Sequence, residues 1–179
     1  ALTGYWARGT AVLETGIARC DVAIYRDGFL TTAARGNEEA DITAPDQLID
    51  ARALEREGFT VQIIDPVGLA AAPLGVDSAD CVVAFPEGPA YRVIILGENR
   101  VMPEALSALA DAAQCGMRVI LVGDGPIGDS GWGGRDRDCE VADLRERLLS
   151  CSTVRRVEEW DDIPQALRSL GVRPRASWH

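Results

Sequence analysis

Apolar residues follow two rhythms along this chain. Short runs rich in branched aliphatic residues read as buried strands: Asp21-Val22-Ala23-Ile24-Tyr25, Thr60-Val61-Gln62-Ile63-Ile64-Asp65, Tyr91-Arg92-Val93-Ile94-Ile95-Leu96 and Arg118-Val119-Ile120-Leu121-Val122. Asp80-Cys81-Val82-Val83-Ala84-Phe85 reads as an edge strand or hairpin arm, and Val154 to Val157 as a short strand. Between these runs the spacing lengthens to that of a helix. Leu2, Tyr5, Trp6, Val12, Leu13 and Ile17 mark a lead-in helix, and Pro45 opens a second helix that Gly58 closes. Met102, Ala105, Leu106, Leu109 and Ala113 share one helical face, with Pro103 in the first turn and Gly116 past the end. Val141, Leu144, Leu148 and Cys151 mark another helix. Asp162 is placed to cap a last one, in which Ile163, Ala166, Leu167 and Leu170 share a face before Gly171.

Strands alternating with helices imply right-handed crossovers and a mainly parallel sheet with helices on both faces. The expected fold is therefore α/β, three-layered and flavodoxin-like. Residues 1–20 are expected to be a lead-in helix and linker, 21–174 the α/β domain, and 175–179 the start of a further linker. The polar segments 26–44 and 123–137 read as long loops, and 66–76 as short helix or irregular chain. In such sheets ligands bind beyond the carboxyl ends of the strands. Here those ends lead into Tyr25, Asp65, Gly97 and Gly123.

Composition narrows the chemistry sharply. The chain has no lysine, all 18 basic residues are arginine, and its one histidine is His179. A serine or cysteine relay needs an internal imidazole, a P-loop needs its lysine, and a Schiff base needs an amine. The five cysteines, at 20, 81, 115, 139 and 151, show no CxxC spacing, so neither a zinc site nor a disulfide framework is expected. Unpaired thiols favour a reducing compartment such as the cytoplasm. A net charge of −10 argues against nucleic acid and anionic membrane as partners. No apolar run is long enough to span a bilayer. The first residues lack the basic and apolar regions of a secretion signal, and the abrupt start predicts a piece excised from a longer chain.

Three clusters carry candidate chemistry. Gly123-Asp124-Gly125-Pro126-Ile127-Gly128 matches a GxGxxG phosphate cradle after a strand. The motif follows a late strand, no helix obviously begins within it, and Asp124 and Asp129 repel anions, so a structural glycine loop is the favoured reading. Glu98, Asn99 and Arg100 leave a central strand, where Glu98 can serve as a general acid or bind sugar hydroxyls; a solvated strand end is the plainer alternative. Asp124, Asp129, Trp132, Arg135 and Asp136 combine acids, an arginine and an aromatic face, as carbohydrate sites do, and the three aspartates invite a test for calcium, though their spacing fits no EF-hand. Arg155 and Arg156 beside Glu158, Glu159, Asp161 and Asp162 read as a solvated face.

The order of segments resembles a known family. Ala90-Tyr91-Arg92-Val93-Ile94-Ile95-Leu96, Met102-Pro103, Gly116-Met117-Arg118-Val119-Ile120-Leu121-Val122-Gly123-Asp124, Val154-Arg155-Arg156-Val157, Ile163-Pro164-Gln165-Ala166-Leu167 and Leu170-Gly171-Val172-Arg173-Pro174 together look like the internal class I glutamine-amidotransferase-like domain of bacterial α-L-rhamnosidase-like glycoside hydrolases. Asp21 to Asp27 and Ala53 to Phe59 fit as well, so the likeness covers nearly the whole chain. It implies a non-catalytic accessory domain that packs on a catalytic barrel, shapes its cleft or mediates oligomerisation. The implied partners are neighbouring domains of the same parent chain, a second copy, or carbohydrate, and no cofactor is implied. True amidotransferases carry a nucleophilic cysteine on the turn after a central strand. The matching turn, Val122-Gly123-Asp124-Gly125, has no thiol, and the His-x-Glu partner is absent. Two alternatives from other classes stand beside this reading: a flavodoxin-like module binding a sugar or other small molecule, and a hydrolase working with carboxylates alone.

Overall fold

The computed structural model describes residues 19–27, 47–71, 75–77, 82–84, 90–131 and 134–174. The proposed lead-in helix with Tyr5 and Trp6, most of the 26–44 loop, Pro45, Cys81, Trp132 and Trp178 lie outside them.

Five strands form a parallel sheet: β1 (Arg19–Tyr25), β2 (Val61–Ile64), β5 (Ala90–Leu96), β7 (Arg118–Val122) and β9 (Val154–Val157). Their spatial order is β2-β1-β5-β7-β9. Two short strands, β3 (Gly75–Asp77) and β4 (Val82–Ala84), extend the sheet antiparallel. β4 pairs with Ala90 and Tyr91 at the start of β5, whereas β7 pairs with Val93 to Leu96 further along. β5 thus has β1 on one side and shares its other side between two strands.

The period-two alternation of the central strands sorts their side chains between two cores. Ala23, Tyr25, Ile94, Leu96, Val119 and Leu121 face one way, onto α2 (Pro66–Ala71), α3 (Pro103–Gln114) and α4 (Gly134–Leu149). Val22, Ile24, Val93, Ile95 and Ile120 face the other way, onto α1 (Gln47–Arg56) and α5 (Ile163–Ser169). The molecule is therefore an α/β fold with helices on both faces of a mainly parallel sheet. Both faces being covered explains why these strands read as continuous apolar runs. Helix α3 begins at Pro103, whose missing N–H falls where no helical partner exists, and ends before Gly116 at φ +107°.

Two expectations need correction. The loop expected over 123–137 is shorter: Gly128–Asp129 forms a two-residue strand, β8, and α4 already begins at Gly134. Arg135 and Asp136 thus belong to the first turn of a helix. Only Val141 and Leu148 of α4's sixteen residues are buried, so its first two turns carry no apolar rhythm to read. The stretch 66–76 holds the short helix expected there, α2, followed by the start of β3. Asp162 does precede α5, but its side chain makes no capping bond. A 3-10 turn over Trp160–Asp162 runs straight into the helix and leaves Asp162 in a helical conformation, where its carboxylate is not aimed at the orphan N–H groups.

Candidate functional site at the strand ends

The chain leaves β1 to one side for β2 and returns across it to β5 on the other, so the strand order reverses between β1 and β5. In open parallel sheets this is where a crevice forms and ligands settle. The residues that meet there are Arg26 and Asp27 after β1, Gly97 and Glu98 after β5, and Trp160 after β9.

Arg26 is buried, and its guanidinium lies 5.1 Å from the centre of the Trp160 ring, a cation–π stack. Its Nη1 donates to Glu98 Oε1 at 3.1 Å, across the gap between β1 and β5. Trp160 in turn lies against Gly97. A Cβ at position 97 would run into the indole ring, so glycine is needed there for close approach. On the other face of the sheet the Tyr25 hydroxyl donates to Asp27 Oδ2 at 3.2 Å, and the Met102 N–H donates to the same oxygen at 3.0 Å. Burial first, and then the Asp27 charge, hold the Tyr25 phenol well above its ordinary pKa, so it stays a donor. Asp27 thereby sits at the amino end of α3, where a negative charge is favoured. Two side-chain bridges, Arg26–Glu98 and Asp27–Met102, thus span the crevice from wall to wall.

The next pair of loops is joined as firmly. β6 (Arg100–Val101) pairs in parallel with β8, and the Ile127 N–H donates to Asn99 O at 2.8 Å. Asp129 is buried, at 2% exposure, and its Oδ2 accepts from Arg137 Nε at 3.0 Å. The rest of the Arg137 fork binds both oxygens of Glu104, at 2.9 and 2.7 Å. Arg100 Nε donates to the Asp129 carbonyl at 2.8 Å, and Asp138 accepts the Asp129 N–H at 2.8 Å. The network ties β8 and the first turn of α4 to the first turn of α3. Further along the rim, Arg156 reaches Asp124 at 2.6 Å.

The structure therefore separates the six candidate residues. Asn99, Arg100 and Asp124 face solvent, Glu98 is partly covered by Arg26, and Trp132 lies outside the described residues. Asp129 points inward to Arg137, which corrects its expected place on an outward loop. Among the described residues no three acidic, thiol or imidazole groups gather as a metal would require, so Asp124, Asp129 and Asp136 do not form a calcium cage. None of the described helices is long and apolar enough to cross a membrane. The glycine run after β7 bends through Gly123 at φ +68° and Gly125 at φ +75°, and α4 starts only at Gly134, so the helix that follows the turn does not begin within it. Sequence reasoning missed Arg26, Asp27, Trp160 and Arg137. Arg26 and Asp27 follow a buried strand just as Glu98 does, and the same rule would have found them.

The Glu104–Arg137 pair gives a pH prediction. The hydrogen bonds from Arg137 hold the Glu104 carboxyl below its ordinary value. A depressed carboxyl stabilises the fold above its unfolded pKa of about 4.3, and that contribution is lost as pH falls through the folded value. The urea midpoint of Glu104→Gln should lie below the wild type at pH 7 and converge on it in acid. Both groups are partly solvated, so the gap should be small and should shrink with salt. A gap that widens in acid would contradict the assignment.

Compared with known protein families, with curated proteins and with solved structures, the chain finds no match.

Proposed function

We propose that this domain is a non-catalytic accessory unit of a glycoside hydrolase of the α-L-rhamnosidase-like kind, built on a flavodoxin-like, class I glutamine-amidotransferase-like frame. The observation that carries this reading is the bridging of the strand-end crevice by the chain's own side chains. Arg26–Glu98 and Asp27–Met102 close the gap where a ligand would enter, and Arg137 holds Asp129 inward. Acids and arginines that neutralise each other make a stable face against which another domain can rest. The turn at Gly123-Asp124-Gly125, where an amidotransferase of this shape carries its thiol, holds an aspartate in contact with Arg156. Asn99, Arg100 and Asp124 are the groups this face offers to a neighbouring domain or a second copy.

A second reading, binding of a sugar or other small molecule, draws on one feature: an arginine stacked on Trp160 beside a partly exposed carboxylate, at the reversal point of the sheet. One experiment separates the two. A panel of aryl glycosides, including the α-L-rhamnoside, is offered to these 179 residues and to the longer parent protein, and rhamnose binding to the domain is followed by calorimetry. The accessory role predicts hydrolysis by the parent alone and no binding heat from the domain. Binding heat lost in Glu98→Gln would favour the second reading. Hydrolysis by the domain itself would overturn both and make Glu98 and Asp124 the first carboxylates to replace.

A further inference from the structure

The opposite, amino-terminal rim of the sheet carries a separate feature. Two helix-to-strand turns lie side by side there, one between α3 and β7 and one between α4 and β9. β7 and β9 are parallel neighbours with Val119 opposite Val154, so the two chains enter the sheet about 4.8 Å apart. Thr153 ties the turns together. Its hydroxyl donates to the Ala113 carbonyl at 2.9 Å, and its carbonyl accepts the Val119 N–H at 3.2 Å. Between the turns runs an open groove of about 450 Å³, whose walls include Gln114, Cys115, Ser150, Cys151 and Ser152.

Each turn brings one thiol to this groove. Cys115 stands four residues before Val119 and Cys151 three before Val154, each in the turn that follows its helix, and both line the groove. Neither is in a disulfide. Cys115 is exposed, whereas Cys151 is half-buried and its S–H rests on the Arg147 carbonyl at 3.5 Å. Gly116, beside Cys115, has φ +107° and no atom within 4 Å of where a Cβ would stand, so the first turn faces open space.

We propose that Cys115 and Cys151 form a redox-active dithiol that closes into an intramolecular disulfide on meeting a peroxide. The exposed Cys115 thiolate attacks one peroxide oxygen. An S–O bond forms, the O–O bond breaks, and the departing hydroxide takes a proton to become water. The Cys151 thiolate then attacks the sulfenic sulfur; the S–S bond forms, the S–O bond breaks, and a second water leaves. Two thiols lose two electrons and two protons, and hydrogen peroxide is reduced to two waters. A disulfide needs Cα atoms about 4.4–6.8 Å apart, so the two turns must close across the groove that both cysteines line.

The test treats the reduced protein with hydrogen peroxide, digests it without reductant and maps the thiols by mass spectrometry. The expected product is a Cys115–Cys151 linked peptide pair, absent from Cys115→Ser and Cys151→Ser and retained in Cys139→Ser. Closing this ring should raise the melting temperature by at least about 4 °C, a shift that both Ser variants at the pair lose. Phenylarsine oxide, which bridges two close thiols, should bind the reduced protein one to one and fail with either variant. Oxidation of Cys115 to sulfinic acid with Cys151 still open to alkylation would overturn the proposal. So would linkage of Cys115 to any other thiol, in the same chain or a second copy, or the absence of arsenical binding.

Discussion

Replacing Asp129 with alanine is expected to lower stability by about 3 kcal/mol, a drop of roughly 6–12 °C in melting temperature for a chain of this size. The carboxylate is nearly fully buried, and it accepts from Arg137 Nε and from the Gly131 N–H at 3.0 Å each. Its loss leaves Arg137 with Glu104 and removes the acceptor of the Gly131 N–H, which lies in an exposed residue and can turn to water. The cost sits at the low end of the range for broken buried pairs, because Arg137 is itself about one-third exposed and can recover hydration. Asp129→Asn separates charge from shape: it keeps the size and one acceptor and should cost about half as much. Urea unfolding at two salt concentrations checks both variants. The loss should barely respond to salt. A loss that vanishes at high salt would mean that Asp129 contributes only a surface charge.

Gly97→Val is expected to cost about 2–3 kcal/mol. The new Cβ meets the Trp160 ring, which must swing outward. Arg26 then loses its stacking surface, worth about 0.5–2 kcal/mol when the cation is shielded from water. The displaced indole should report itself by a red-shifted emission. A double-mutant cycle makes the test specific: adding Gly97→Val to Trp160→Ala should cost at least 1 kcal/mol less than adding it to the wild type, where the ring blocks the way. Equal costs in both backgrounds would show that the valine acts on the strand end itself.

Much of this fold was legible because its signals are local. β1, β5 and β7 each hold a run of four apolar residues, Val22 to Tyr25, Val93 to Leu96 and Val119 to Val122, and α3 combines a helical rhythm with Pro103 at its start and Gly116 after it. β3 and β8 are two or three residues long and carry no pattern at all. The start of α4, from Gly134 to Glu140, has Cys139 as its one apolar residue and resembles a loop. The strand-end face was legible only in part. Its location follows from the order of strands and helices, which is why Glu98, Asn99, Arg100 and Asp124 were singled out. Their partners were hidden because they come from far along the chain. Glu98 meets Arg26 from 72 positions earlier, and Arg100 meets Asp138 from 38 positions later. Sequence spacing reports neighbours on one element and says nothing of which strand lies beside which.

The sharing of β5 among three strands has a consequence for how the molecule assembles. Arg19 of β1 lies opposite Ala90 of β5, 71 positions later in the chain. As the polypeptide leaves the ribosome, β1 can pair only with β2, and its inner edge stays open until β5 has emerged. β4 pairs with β5 across a short sequence separation, whereas β1 must close a long loop to reach it. Loops of that length slow folding more than they weaken the product. The strand that organises the finished sheet is thus synthesised only after β1 to β4, and a ribosome paused before it would hold an unpaired, strongly apolar edge ready to join a wrong partner.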